Sequence, residues 1–182
     1  MNRLEFLRVF MGDKNVASIT PSSMFAVRKI CKSIDFDKKA VIVEYGAGNG
    51  AFTEYILKKM HHDSKLIAIE KNEEFVSILK KIKDPRFFVF LNSAENIEQI
   101  LKQCGETKAD YVLSGIPFSF FDAQLGDKIV RNTKSMLSWE GRFIVYQFSN
   151  KVEKYLNQHF TDVTPDWTML NIPPLRVYNL LK

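Results

Sequence analysis

Val41-Ile-Val-Glu-Tyr-Gly-Ala-Gly-Asn-Gly-Ala-Phe52 decides the fold of this chain. Three β-branched residues open it and read as a buried strand. The run then breaks into Gly46, Gly48 and Gly50, and an amphipathic helix follows from Gly50 to Met60. A strand that turns on glycines into a helix brings bare backbone and a helix N-terminus up to a ligand. That arrangement suits a nucleotide-type cofactor. Three alternating glycines ahead of a helix rarely serve only to make a tight turn.

Outward from this stretch the pattern alternates. Further strands are predicted at Leu66–Glu70, Arg86–Leu91, Asp110–Ser114 and Arg142–Phe148, with two more around Asp162–Thr168 and Leu175–Leu180. Helices are predicted between them at Asn72–Lys83, Ala94–Gln103, Phe120–Ser138 and Asn150–His159. Such alternation predicts an α/β fold with a mostly parallel seven-stranded sheet and helices on both faces. Only a loop through Pro173-Pro174 separates the last two strands. They should therefore pair antiparallel, because a parallel pair needs a longer crossover.

The chain has 182 residues, enough for one domain with a real core, and a net charge of +5. We read residues 1–182 as a single domain, with a helical leader over 1–38 and the core over 39–182. The lysines are spread along the chain, so charge alone selects no partner. Cys31 and Cys104 fit no metal or redox spacing and read as thiols in a reducing compartment. No apolar run approaches the roughly 18 residues that span a bilayer. Arg3, Glu5 and Arg8 make the N-terminus a poor signal peptide, so a cytoplasmic location is expected. No metal is expected, and His61, His62 and His159 read as solvent-exposed. The sequence sets no oligomeric state.

The leader places Leu4, Leu7 and Met11 on one helical face, with Phe6 and Phe10 beside them. A second helix should start with Thr20 as N-cap and Pro21 at the first position, and run to about Ser33. The leader can lie in a membrane interface with its arginines near lipid phosphates, or pack on the core as a lid. The amides and hydroxyls of Ser22 and Ser23 suit a phosphodiester or a cofactor carboxylate.

Gly46-Ala-Gly-Asn-Gly-Ala51 also satisfies the dinucleotide pattern, so a nicotinamide cofactor must be weighed. Glu70 ends the second predicted strand, where a carboxylate can take two ribose hydroxyls. Both cofactor types want that carboxylate, and Glu44 discriminates. A carboxylate just ahead of the first glycine repels a pyrophosphate and suits a ligand bearing a sulfonium and an ammonium.

Here the sequence resembles the class I S-adenosylmethionine-dependent methyltransferases. Glu44-Tyr-Gly-Ala-Gly-Asn-Gly50 matches their first motif and Ile67-Ala-Ile-Glu70 their second. Asn92-Ser-Ala-Glu95 matches the segment bordering the adenine, and Ser114-Gly-Ile-Pro-Phe118 stands at their substrate-facing motif. The resemblance implies a Rossmann-like core with an antiparallel terminal strand and S-adenosylmethionine as cofactor. It implies cofactor contacts from Glu44, Gly46, Gly48, Gly50, Glu70, Lys71, Ala94, Glu95 and Ser114. Glu95 reads equally well as a charge that complements a helix N-terminus.

A narrower resemblance is to bacterial-type phospholipid N-methyltransferases. It rests on Ala17-Ser-Ile-Thr-Pro-Ser-Ser23, Ser114-Gly-Ile-Pro117 and Asn171-Ile-Pro-Pro-Leu-Arg-Val-Tyr178. It implies methylation of a phosphatidylethanolamine-type amine at an anionic membrane surface, on the inner face of the cell membrane. Ser22, Ser23, Pro117 and Phe118 would then meet the substrate. Ser114, Tyr146 and Asp122 are the candidates for receiving or orienting the amine proton. Tyr146 reads equally as a core residue and Asp122 as a helix N-cap. The alternative is methylation of an adenine N6 in ribosomal RNA or another nucleic acid. Those enzymes carry Asn or Asp where this chain has Ser114. The more distant ribosomal RNA adenine dimethyltransferases also add a helical domain for which the chain leaves no room.

Overall fold

A computed structural model describes residues 21–168 and 175–182, with side chains described from Met24 onward and Thr168 excepted. The expected helix over Leu4–Met11, the Thr20 cap, the side chains of Ser22 and Ser23, and the Pro173-Pro174 loop lie outside these.

Helix α1 (Pro21–Ile30) continues as a 3-10 turn over Cys31–Ser33. Then follow β1 (Val41–Tyr45), α2 (Ala51–Lys59), β2 (Lys65–Glu70), α3 (Glu73–Leu79) and β3 (Phe87–Leu91). A 3-10 turn at Ala94–Asn96 leads into α4 (Ile97–Gln103), followed by β4 (Ala109–Ser114). The rest is α5 (Ala123–Met136), β5 (Leu137–Gln147), α6 (Glu153–His159), β6 (Pro165–Thr168) and β7 (Leu175–Leu181).

The strands form one sheet of order β3-β2-β1-β4-β5-β7-β6. The β1, β2, β3, β4 and β5 pairings are parallel, and β7 runs antiparallel to both β5 and β6. The expected seven-stranded α/β sheet with an antiparallel terminal strand is therefore present. Alternate residues of the strands point to opposite faces, so the central strands feed two cores. Val43, Tyr45, Ile67, Val112 and Phe143 join Ile97, Ile129, Val130 and Leu156 under α4, α5 and α6. Ile42, Leu66, Leu113 and Ile144 join Val27, Ile30, Ile56 and Leu57 under α1 and α2.

Two boundaries differ most from the sequence reading. The helix expected over Asn72–Lys83 ends at Leu79, and Lys81 and Ile82 make tight turn bonds back to Ile78 and Leu79. Pro85 disfavours helix at Asp84. The Asp84 carboxylate clamps Arg86, whose guanidinium also donates to the carbonyls of Leu57 and Met60 at the end of α2. The fifth strand starts at Leu137 rather than Arg142. Leu137 pairs with Ala109, the next matched pair is Tyr111 with Arg142, and Ser138–Gly141 bulge out between them. Trp139 on that bulge is 89% exposed.

His159 is also not the free surface residue expected. It is half-buried, and its Nε2 lies 2.6 Å from Asp127 Oδ1, tying α6 to α5.

Candidate active site

The chain passes from β1 outward to β2 and β3 on one side, and to β4 and β5 on the other. The crevice where these directions diverge, beyond the carboxyl ends of β1 and β4, is where open α/β sheets bind ligands. Two loops meet there. The Gly46 amide donates to the Ile69 carbonyl (2.9 Å), and the Gly115 amide donates to the Tyr45 carbonyl (3.1 Å). A Cβ on Gly46 would stand 2.9 Å from Ile116 Cγ2. Glycine there lets the two loops close on each other. Gly48 has φ +54 with nothing within 4 Å of a built Cβ, so glycine serves the backbone turn and leaves open space above it.

Glu70 underpins the glycine loop. Its Oε2 accepts from the Gly48 amide (3.1 Å), and its Oε1 accepts from the amides of Lys71 (2.8 Å) and Asn72 (2.9 Å). A carboxylate has about four lone-pair directions. Three are in use, and the Gly48 bond is the longest. One acceptor direction of the carboxylate stays free on Oε2, into which a ribose hydroxyl can donate beside the loop amide. Lys71 itself is exposed.

Glu44 lies beneath the same loop and is 1% exposed. Its Oε2 accepts from Thr53 Oγ1 on α2 (2.6 Å), while Oε1 is buried without a partner. Burial pushes this carboxyl up to about 7, the Thr53 bond opposes the rise, and the nearby Glu70 charge adds to it. A buried carboxylate with an empty acceptor suits a cationic ligand. Ser114, at the end of β4, has a fully buried Oγ that is likewise unpartnered. The donor set therefore fits S-adenosylmethionine: an open glycine turn, a ribose-competent carboxylate and an unsatisfied acidic oxygen.

The other sequence candidates divide. Tyr146, at the end of β5, lies over Gly115, with its hydroxyl 2.5 Å from where a Cβ would stand. Its ring stacks on Phe52 of α2, with centroids 4.6 Å apart. Burial, then the charges of Glu44, Cys31 and Glu70, raise its phenol well above the usual value, so it stays protonated and can donate. Ala94 is buried at the start of the 3-10 turn. Glu95 pairs with Lys128 of α5 (2.8 Å), and its carbonyl accepts from Asn132 (2.8 Å). Asp122 is exposed and caps α5, accepting from the Leu125 amide (2.8 Å). Phe118 is 1% exposed, packed against Phe121 and Tyr155, with its ring in the core rather than open to a substrate. Pro117 is half-buried beside it.

Thr53 and Phe52 were missed as candidates. Their signal is positional: each stands in the first turn of α2, directly after the glycine loop. At the turn after α2, His61, His62 and Asp63 bring ligand atoms within 4.8 Å of one another. Among the described residues no helix is long and apolar enough to cross a membrane.

A seven-stranded sheet with a penultimate β7, a glycine turn after β1 and a carboxylate at the end of β2 defines a class I methyltransferase. The match to the FtsJ-like methyltransferase model runs over residues 23–164, and the chain belongs to that family. It is a methyltransferase enzyme that uses S-adenosylmethionine. The chain is 30% identical over 174 residues to an ornithine lipid N-methyltransferase from Singulisphaera acidiphila, covering 94% of this chain and 91% of that one. It is 25% identical over 146 residues to ribosomal RNA small subunit methyltransferase H from Buchnera aphidicola, spanning 73% of this chain but only 47% of that protein. Among solved structures, N-methyltransferase NodS from Bradyrhizobium japonicum superposes with a TM-score of 0.74 at 12% identity, covering 90% of this chain and 97% of that one. The 1,6-didemethyltoxoflavin-N1-methyltransferase from Burkholderia thailandensis, solved with S-adenosylhomocysteine, gives a TM-score of 0.72 at 16% identity, covering 99% and 86%.

Proposed function

We propose that this enzyme methylates the amine of a lipid head group at the cytoplasmic face of a membrane. The observation that carries this reading is the ornithine lipid N-methyltransferase, similar over nearly the full length of both chains. The phosphatidylethanolamine-type motifs point to the same class of acceptor, a primary amine on a head group that also bears an anion.

S-adenosylmethionine supplies a methyl group made electrophilic by its sulfonium. This chain's residues hold the partners in line and keep water out. In our reading Glu44, Gly46, Gly48, Gly50, Glu70, Lys71, Ala94 and Glu95 form the cofactor cradle. Ser114 and Tyr146 face the acceptor from the ends of β4 and β5. The Ser114 hydroxyl has an unused lone pair for an ammonium proton. The Tyr146 phenol, held protonated, orients the amine instead of taking its proton. Ser22, Ser23 and Pro117 are the further residues we assign to the substrate.

A second reading, methylation of RNA, is favoured by the similarity to ribosomal RNA small subunit methyltransferase H. A side-by-side assay decides. Purified protein with labelled S-adenosylmethionine is offered vesicles bearing phosphatidylethanolamine, vesicles bearing ornithine lipid, and ribosomal RNA. Label in either lipid supports the proposal and names the head group. Label confined to RNA overturns it.

A further inference from the structure

Between α1 and α2 lies a groove of about 670 Å³, lined by Met24, Arg28, Ala51, Glu54, Tyr55, Lys58 and Lys59. Ala51 is the first residue of α2 and directly follows Gly50, so the groove opens beside the glycine loop. Arg28, Lys58 and Lys59 are all exposed, and none makes an ion pair among the described residues. Glu54 is the one carboxylate among the lining residues. The groove thus carries a net positive field. On α1, Phe25 is 56% exposed and stands one turn ahead of Arg28, on the same helical face.

We propose that this groove and the Phe25 ring dock the enzyme on an anionic lipid surface, with head-group anions seated among Arg28, Lys58 and Lys59. The inference rests on the lipid reading above and gives it a place on the molecule. Three cations without an ion pair among the described residues complement lipid phosphates, and an exposed aromatic beside them enters the interface. A polynucleotide would use the cations but leave the aliphatic Met24 wall without a role. The position also serves the chemistry. A head group held at Ala51 presents a neighbouring amine to the crevice between the Gly46 and Ser114 loops.

The test is sedimentation of the full chain with phosphatidylglycerol vesicles and with phosphatidylcholine vesicles. Wild type should favour the anionic vesicles and lose binding in high salt. The triple variant Arg28→Glu, Lys58→Glu, Lys59→Glu should bind phosphatidylglycerol at least about 100-fold more weakly, since each basic side chain near such a surface contributes roughly fivefold and each glutamate adds repulsion. Phe25→Ala should weaken binding without changing the salt dependence. The control reverses Lys102, Lys151 and Lys154 beside α4 and α6, which changes net charge equally. Retained S-adenosylhomocysteine binding verifies folding of each variant. Equal loss in both triple variants overturns the inference, because net charge alone would then explain binding. So does a groove variant that loses RNA binding but keeps vesicle binding. If wild type labels no lipid in vesicles or in detergent, the functional reading falls while the vesicle comparison still stands. If lipid is labelled and the groove variant still sediments with vesicles, only the groove inference falls.

Discussion

The carboxylate of Glu70 accepts a hydrogen bond from the backbone amide of Gly48 at 3.1 Å, so the end of β2 holds the loop that follows β1. Loop shape and ribose recognition are therefore joined in one side chain. Glu70→Gln exchanges acceptor capacity for an NH2 group that faces backbone donors. We expect S-adenosylhomocysteine affinity to fall about 10- to 100-fold by calorimetry, with a stability loss of roughly 1–3 kcal/mol. Unchanged affinity would remove Glu70 from the cradle.

Glu44 gives the fold a pH dependence. Its carboxyl titrates near 4.5 when unfolded and at about 7 when folded. The folded state thus binds more protons between these values, and stability falls as pH rises from about 4.5 to about 7. Glu44→Gln should flatten that slope and stabilise the free enzyme at pH 8 by roughly 1–3 kcal/mol. A cationic ligand would favour the charged form, so wild-type cofactor affinity should rise with pH through about 7. Denaturant melts and calorimetry across pH check both statements.

Gly115→Ala would put a methyl 2.5 Å from the Tyr146 hydroxyl. Displacing that ring should cost roughly 1–3 kcal/mol and most of the activity. Tyr146→Leu in the same chain should return stability but not activity. That coupling, measured as a double-mutant cycle, separates packing from positioning.

Gly126 lies within α5, where exchanging glycine for alanine ordinarily stabilises by about 0.5–1 kcal/mol. Here the added Cβ would stand 2.4 Å from Tyr155 Cζ. We expect Gly126→Ala to lower the melting temperature, and Tyr155→Leu to relieve the loss.

Asp122→Ala removes the cap on α5 and should cost about 1 kcal/mol with kcat unchanged. A drop in kcat at constant stability would instead place Asp122 at the amine.

The sheet and its cofactor edge were legible because β-branched runs and glycine turns are local signals. Val41–Tyr45 falls on the expected residues, and Glu70 stands at the end of its strand as read. That Glu44 Oε1 and Ser114 Oγ are buried without a hydrogen-bond partner depends on packing across elements distant in sequence. The Ser138–Gly141 bulge was hidden because it exists only relative to Ala109 and Tyr111 on β4. Phe118 read as a substrate contact because nothing local shows that Tyr155, far along the chain, receives it. His159 looked free for the same reason, with Asp127 on another helix.

The position of β7 between β5 and β6 has a consequence for assembly. Strand β6 precedes β7 in the chain, yet among the described residues β7 is its only neighbour in the sheet. It therefore cannot dock when it is made. Until residues 175–181 arrive, β5 presents an open edge ready to pair with another chain. The order of folding thus reverses the order of synthesis at this end. A product interrupted before Leu175 carries every residue of the methyl-donor crevice but should aggregate through β5.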